Sequence, residues 1–294
     1  MSPPLELQNL KKEFGAVSAL RGVSFTVELG EVFGYLGPNG AGKTTTMRIM
    51  LGLVHPSAGT ALLFGKPPAD SSTRNHIGFL PGDLRLYGDM SGLATLDFFA
   101  RFRPAAPPVL RKSLIEAFAL DTATLERRVK FLSHGTRQKI GLIAAMQHDP
   151  ALLLLDEPSN GLDPLVQHAF REIVRGFARR GRSVLLSSHM LSEVEAVCRR
   201  VAILRQGEIV ALETIDNLRD KLVRKLTVRF RNAVPSFAGV PGISRSEFRD
   251  HDVELWVRGD LNPLLRRLAE SEIEEMVFPE PELEGIFLSY YQNV

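Results

Sequence analysis

The chain has 294 residues, of which 44% are hydrophobic, and its 36 Lys and Arg nearly balance its 34 Asp and Glu. This length accommodates one large α/β domain with a small appendage, and the apolar fraction is enough for a sizeable core. The near-neutral charge argues against nucleic acid as the main partner. A single cysteine, Cys198, excludes an intramolecular disulfide framework and favours a reducing compartment, with this thiol packed in the core.

The first half of the chain predicts a short run of strands followed by a helical block. Residues 5–30 alternate apolar and polar in short pieces, which predicts a small antiparallel sheet. The strand-like EVFGYL precedes a glycine-rich loop and the helix-like TTMRIMLGL, and TALLFG and IGFLP are predicted strands. Residues 91–148 are predicted to be wholly helical, with Ser91 and Ser133 as caps.

The second half returns to strands. Apolar runs at 151–155, 183–187, 201–204 and 208–212 predict buried strands. Between the first two, a helix is expected with Asp163 as N-cap, Pro164 at its first position and Gly181 at its end. Buried strands that alternate with helices indicate a parallel-containing sheet covered on both faces, so the helical block is an insertion into that core.

The end of the chain predicts a separate small extension. KLTVRF and DVELWVR resemble strands and NPLLRRLAE resembles a helix, which indicates a compact α+β appendage over residues 220–294. The N-terminus lacks the order of a signal peptide, and no apolar run approaches the ~20 residues of a spanning helix. We therefore expect any membrane crossing to be made by another chain.

The glycine-rich loop carries the clearest chemistry. Residues 37–44 match G-x-x-x-x-G-K-[ST], the phosphate-binding P-loop, with a predicted strand before it and a helix after it. Glycines allow successive N–H groups to face inward around an anion, and the helix N-terminus adds partial positive charge. Lys43 would reach the β/γ-phosphates and Thr44 would bind Mg²⁺, so the motif predicts ATP or GTP binding.

A carboxylate pair ends the apolar run LLLL. Asp156 is expected to hold Mg²⁺ through a water molecule, because carboxylate oxygens are hard ligands. Glu157 would then orient and deprotonate the attacking water, a general-base role typically worth ~10²–10⁴-fold in rate. Carboxylates also end strands as ordinary turn residues, but the P-loop in the same chain favours the catalytic role.

These motifs, in this order, resemble the ATP-binding subunit of ABC transporters over about residues 5–215. The resemblance implies a P-loop NTPase core of the ABC type within residues 1–215, with an N-terminal antiparallel β-subdomain and an inserted helical subdomain at about 83–148. It further implies ATP and Mg²⁺ as cofactors. The implied P-loop residues are Gly37, Pro38, Asn39, Gly40, Ala41, Gly42, Lys43, Thr44 and Thr45.

The resemblance also assigns residues outside the P-loop. Phe14 matches an aromatic that stacks on adenine, and His189 matches a switch histidine that contacts the γ-phosphate. LSHGT at 132–136 resembles the signature loop, so Ser133 and Gly135 would face the γ-phosphate held by another subunit. SNGLD at 159–163, which ends in Asp163, resembles the D-loop.

Two departures from the family pattern concern the signature and the Q-loop. The signature usually reads Leu-Ser-Gly-Gly-Gln, whereas His134 and Thr136 replace a glycine and the glutamine here. Where the family has a Q-loop glutamine, this chain has Gly82 and then Asp83, so Asp83 is the candidate polar relay and metal contact, with the spacing shifted by one.

LPGD and the tail ELEGIFLSYY resemble the bacterial branch that serves ABC-2 and drug or sodium exporter permeases. This implies an ATPase subunit that pairs with integral membrane permeases, dimerises with itself or another ABC ATPase, and lies in the cytoplasm on the inner face of the membrane. A soluble ABC ATPase acting on a macromolecule is the alternative, disfavoured by the single P-loop and the lack of sustained heptads. A P-loop kinase or GTPase is opposed by LSHGT and the helical insertion.

Overall fold

The computed structural model describes residues 2–103, 105–220 and 223–279, and it divides into two compact units, residues 1–213 and 214–294. In chain order the first unit contains β1 (Leu5–Phe14), β2 (Val17–Val27), β3 (Val32–Leu36), α1 (Lys43–Met50), β4 (Ala58–Leu63), α2 (Ser71–Arg74), β5 (Ile77–Leu80), α3 (Gly92–Arg101), α4 (Arg111–Ala117), α5 (Thr122–Glu126), α6 (His134–Met146), β6 (Leu152–Asp156), α7 (Pro164–Arg179), β7 (Ser183–Ser188), α8 (Leu191–Val197), β8 (Arg200–Arg205) and β9 (Glu208–Thr214). The second unit contains α9 (Ile215–Asp220), β10 (Arg224–Phe230), β11 (Ile243–Arg249), β12 (Asp252–Val257), α10 (Asn262–Leu268) and β13 (Ile273–Val277).

The central sheet has the order β5-β6-β7-β3-β8-β9, and the pairs from β5 through β8 are parallel. Strands β3, β6 and β7 are buried along their whole length, as expected when helices or another sheet cover both faces. Strand β9 returns from β8 through Gln206 and Gly207, which both have positive φ as a two-residue hairpin turn requires. The parallel order aligns the carboxyl ends of the strands that precede the P-loop and the carboxylate pair.

The predicted N-terminal antiparallel sheet is present, with the order β2-β1-β4. Its inner face packs against the central sheet in one core. The Phe25 and Phe33 rings stack with centroids 4.9 Å apart, and Tyr35 lies 5.3 Å from Phe25. Burial of these rings and of the surrounding aliphatic side chains fixes the P-loop strand β3 against the N-terminal sheet.

The helical insertion is less continuous than the sequence predicted. Ser91 and Ser133 cap α3 and α6 as expected, accepting from the N–H groups of Ala94 and Thr136 at 3.1 Å each. The prediction of a wholly helical 91–148 is wrong over 102–110, 118–121 and 127–133, where the described residues form turns, irregular chain and a 3₁₀ turn at Val129–Phe131. Prolines at 107 and 108 lack an N–H and disfavour a helical residue before them, which explains the first interruption.

Helix α7 has the ends that the sequence predicted. Asp163 accepts a hydrogen bond from the N–H of Val166 at 3.0 Å, and Pro164 is the first helical residue. Gly181 follows the helix with φ of 76°. Cys198, after α8, is a buried thiol as predicted, and burial raises its pKa far above the usual range. Within the described ranges, no helix combines the length and apolar character needed to cross a membrane.

The second unit has an antiparallel sheet with the order β11-β12-β10-β13 and a core that includes Val228, Leu255 and Leu268. The two predicted strands and the predicted helix are present as β10, β12 and α10. Strands β11 and β13 were not predicted, because they are edge strands whose residues are mostly polar or exposed. The tail at 282–291 lies outside the described residues.

Candidate functional site

The predicted site residues meet at the carboxyl edge of the central sheet. Leu36 at the end of β3 lies beside Ser188, and Asp156 lies beside Ser187. A cleft of about 660 Å³ opens here, where ligands bind in open α/β sheets. Its lining includes Pro38, Asn39, Gly40, Gly42, Lys43, Thr44, Thr45, Gly82, Asp83, Asp156 and Glu157.

The loop between β3 and α1 has a backbone that its glycines permit. Gly40 and Gly42 have φ angles of 80° and 111°, a region that residues with a Cβ rarely adopt. A Cβ on Gly42 would also lie 2.8 Å from the carbonyl oxygen of Ala19. Gly42 is the N-cap of α1, and none of the side chains that the structure describes caps this helix. The first turn of α1 lines the cleft, and its partial positive charge suits an anion.

Lys43 connects the P-loop to the carboxylate pair. Its side chain is 6% exposed, and its Nζ donates to the carbonyl oxygens of Gly37 at 2.5 Å and Pro38 at 3.3 Å. The same Nζ lies 3.1 Å from Glu157 Oε1. A phosphate that accepts from this lysine therefore has to compete with the Glu157 carboxylate.

Asp156 is the last residue of β6 and is 2% exposed. Its Oδ2 accepts from Thr44 Oγ1 at 2.9 Å, and its Oδ1 accepts from Ser187 Oγ at 2.5 Å. The Thr44 hydroxyl and the Asp156 carboxylate are therefore suitable ligands for Mg²⁺, which is usually coordinated by one or two protein oxygens together with phosphate oxygens and water. The described residues contain no group of three or more His, Cys, Asp and Glu that could hold a metal ion.

Ser187 is a site residue that the sequence did not identify. Its Oγ donates to Asp156 Oδ1 and accepts from the N–H of Glu157 at 3.2 Å. The available signal was the pair of serines that ends the apolar run SVLLSS, where buried hydroxyls need polar partners.

Glu157 has a strained backbone and two charged or titratable neighbours. Its φ is 51°, in the left-handed region that costs a residue with a Cβ roughly 1–2 kcal/mol. Its Oε2 lies 2.7 Å from Nδ1 of His189, the residue that follows β7, and its Oε1 faces Lys43. Three residues predicted from separate motifs are thus joined through one carboxylate.

The loop after β5 brings Gly82 against Asp156. A Cβ built on Gly82 would lie 3.2 Å from Asp156 Oδ2. Asp83 lines the same cleft, but its side chain is 77% exposed and its Oδ2 lies 2.7 Å from Arg85. Position 82 therefore faces the Asp156 carboxylate, whereas the side chain of Asp83 is turned toward Arg85.

Phe14 ends β1 with 51% of its surface exposed, and Lys12 Nζ lies 4.8 Å from its ring centroid. It does not line the described cleft. An exposed aromatic ring is available for stacking, so the adenine-platform role stays a prediction.

Comparisons with known proteins show the family of this chain. A family model described as ABC transporter matches residues 20–160. An ABC transporter ATP-binding protein of Bacillus subtilis is 39% identical over 218 residues, covering 73% of this chain and 71% of that protein. The chain belongs to this family. A similar protein of Nostoc is 39% identical, with 69% of this chain and 62% of that protein covered.

Other relatives refine the comparison. The Nod factor export ATP-binding protein I of Burkholderia lata is 37% identical, covering 71% of this chain and 70% of that protein. A solved ATP-binding subunit of an ABC transporter has a TM-score of 0.68 at 31% identity, covering 73% of this chain and 91% of that one. The predicted family, fold class and ATPase activity are confirmed.

In this ABC ATP-binding protein, the remaining predicted residues lie at two helix starts. Ser133 is the N-cap of α6, with its Oγ 2.8 Å from Thr136 Oγ1, and Asp163 is the N-cap of α7. Gly135 packs against the turn before α7, where its Cβ would lie 2.6 Å from the carbonyl oxygen of Gly161. These three residues do not line the described cleft, and their role at another subunit's nucleotide stays a prediction.

Proposed function

We propose that this chain hydrolyses ATP to power transport, in the direction of export, through a separate membrane permease. The observation that carries the proposal is the convergence on Glu157 of Lys43 Nζ at 3.1 Å and His189 Nδ1 at 2.7 Å, beside the Thr44–Asp156 pair. The residues proposed to bind phosphate, to hold the metal ion and to act as general base thus share one cleft.

In the proposed mechanism, Glu157 accepts a proton from the water that attacks the γ-phosphate. His189 orients the carboxylate through its ring nitrogen, and Lys43 exchanges its contact with Glu157 for phosphate oxygens. The exchange couples phosphate arrival to release of the base. Positioning and charge stabilisation, rather than covalent chemistry, supply most of the rate in phosphoryl transfer.

Thr44 and Asp156 are the residues that would hold Mg²⁺, because their oxygens are already within hydrogen-bond distance of each other. The ion would neutralise charge on the β- and γ-phosphates. Ser187 holds the Asp156 carboxylate through its other oxygen, which fixes the orientation of the ligand. Asp83 stays the predicted replacement for the Q-loop glutamine.

The active form is proposed to be a dimer with two shared sites. Ser133 and Gly135 of one subunit would face the γ-phosphate bound by the P-loop of the other, and Asp163 would border that interface. ATP binding would close the dimer, and hydrolysis would reopen it. The helical insertion would pass this motion to permease subunits, with the ATPase on the cytoplasmic face of the membrane and the second unit as its appendage.

Export is the proposed direction because of the exporter-like LPGD segment and the similarity to a Nod factor export ATP-binding protein. A transport assay in inverted membrane vesicles, with the permease co-expressed, would separate ATP-dependent accumulation in the vesicles from release. Accumulation inside inverted vesicles is the result expected for an exporter.

The decisive experiment for the ATPase mechanism replaces Glu157 by Gln. The variant should bind ATP, hydrolyse it at least ~100-fold more slowly because the general base is gone, and persist as an ATP-bound dimer in light scattering. Glu126→Gln is the matched control, because Glu126 is an exposed glutamate on α5, away from the cleft lining. Wild-type turnover in Glu157→Gln would show that another group is the base.

A further inference from the structure

The turn between β6 and α7, residues 158–163, is attached to the start of α6 at several points. Buried Gln138 donates from Nε2 to the carbonyl oxygen of Pro158 at 3.0 Å. The backbones of Gly135 and Gly161 approach so closely that a Cβ on Gly135 would lie 2.6 Å from the Gly161 oxygen. The loop resembling the signature and the turn that follows Glu157 therefore lie in contact within a single subunit.

His134 adds a contact that a glycine at this position could not make. Its imidazole occupies the space where a Cβ on Gly161 would lie, with Cδ2 2.2 Å and Nε2 2.8 Å from that position. Gly161 also has φ of 76°, so both its backbone and its missing side chain accommodate the ring. The family signature usually has glycine where this chain has His134, which makes the contact a feature of this sequence.

The turn connects this contact to Glu157. The N–H of Asn160 donates to the carbonyl oxygen of Glu157 at 3.3 Å, and the N–H of Leu162 donates to that of Ser159 at 3.1 Å. Asn160 and Gly161, at the middle of the turn, are exposed. In the described structure, the ring of His134 and the backbone of Gly135 contact this exposed middle, whereas Gln138 and Asp163 hold its two ends.

We propose that His134 is a positioning residue for ATP hydrolysis that fixes the 158–163 turn, and through it the Glu157 carboxylate, in its own subunit. The proposal rests on Glu157 being the general base. Under this proposal the signature loop acts at two sites. Ser133 faces the nucleotide bound by the partner subunit, and His134 positions the general base of its own subunit. Displacing a catalytic group by about 1 Å can cost ~100-fold in rate, so a looser turn should lower kcat.

The first test compares steady-state ATP hydrolysis by His134→Ala, His134→Phe and the control His168→Ala, which removes another exposed helical imidazole. His134→Ala should lower kcat roughly tenfold with little change in KM, because the P-loop is untouched. His134→Phe keeps a ring against Gly161 and should retain kcat within about twofold. Unchanged kcat in His134→Ala, or equal loss in the Phe variant, would overturn the proposal.

Gly161→Ala approaches the same contact from the other side. Its Cβ would displace the ring, so kcat should fall even though His134 is intact. In the His134→Ala background Gly161→Ala should cost less than in wild type, because the ring contact is already gone and only the backbone strain at φ of 76° remains. Fully multiplicative losses would show that the two residues act independently.

Mixed dimers decide whether His134 acts in its own subunit. When one subunit carries Glu157→Gln, a single general base remains in the dimer. Adding His134→Ala to the subunit that keeps Glu157 should lower turnover roughly tenfold, whereas adding it to the Glu157→Gln subunit should change turnover by less than about twofold. The reverse pattern, or equal loss in both, would overturn the proposal.

The same experiment separates this inference from the proposed function. If dimers with one Glu157→Gln subunit turn over like wild type, the base assignment fails. If they are impaired and His134→Ala has no further effect in either subunit, the base assignment stands and the role of His134 fails.

Discussion

The contact between Lys43 and Glu157 predicts that removing the glutamate charge strengthens ATP binding. The two charges are 3.1 Å apart with side chains 6% and 13% exposed, which corresponds to about 5 kcal/mol of Coulomb attraction at an effective dielectric constant of ~20. Desolvation cancels much of this, and the contacts of Nζ with the Gly37 and Pro38 carbonyls persist. Releasing the ion pair in Glu157→Gln should therefore gain about 1.4 kcal/mol, or roughly tenfold in Kd.

Calorimetric titration with a non-hydrolysable ATP analogue and Mg²⁺ measures this directly. Lys43→Ala should weaken binding at least ~10-fold, because a charge-assisted hydrogen bond to phosphate is lost. In the Lys43→Ala background, Glu157→Gln should give little gain, because no lysine remains to be released. An equal gain in both backgrounds would refute competition for Lys43 and would indicate direct repulsion between Glu157 and the phosphates.

Three further predictions concern adenine, Mg²⁺ and pH. Phe14→Ala should weaken ATP binding by about 1–3 kcal/mol in the same titration if the ring stacks on adenine, and Phe14→Tyr should not. Asp156→Asn should raise the Mg²⁺ concentration for half-maximal hydrolysis at least ~10-fold, and Asp83→Asn should raise it less, because Asp83 is exposed and paired with Arg85. Burial, aided by nearby Arg103, lowers the pKa of His148 from 6.5 to about 4, so its contribution to stability is full above about pH 6.5 and is lost as the pH falls toward 4. The melting temperature should fall less between about pH 7.5 and about pH 5 in His148→Gln than in wild type, by an amount corresponding to roughly 2 kcal/mol.

Features with local causes could be predicted from the sequence. The P-loop depends on glycine at fixed positions, and the caps of α6 and α7 depend on Ser133 and Asp163, each followed by helix-forming residues. The buried strands β6 and β7 follow from short apolar runs bounded by turn residues. The order of the motifs along the chain also indicated the family, because several motifs in a fixed order constrain the fold more than any single motif does.

Features that depend on long-range contacts could not be predicted. The approach of Gly82 to Asp156 joins loops from different strands, and nothing in the spacing around residue 82 indicates it. The ring of His134 against Gly161 likewise joins two motifs that the sequence presents as separate functions. Strands β11 and β13 lack a regular apolar alternation because they lie at the two edges of their sheet and most of their residues are exposed.

The left-handed backbone at Glu157 explains how two adjacent carboxylates serve one cleft. In a continuing strand, residues 156 and 157 would project to opposite faces of the sheet. Strand β6 ends at Asp156, and the φ of 51° at Glu157 turns the chain so that both residues line the cleft. Their partners then differ: Asp156 accepts from two hydroxyl groups, whereas Glu157 faces a lysine and a histidine. The backbone strain, of order 1–3 kcal/mol, is therefore tied to the separate roles proposed for the two residues, metal binding by Asp156 and proton transfer by Glu157.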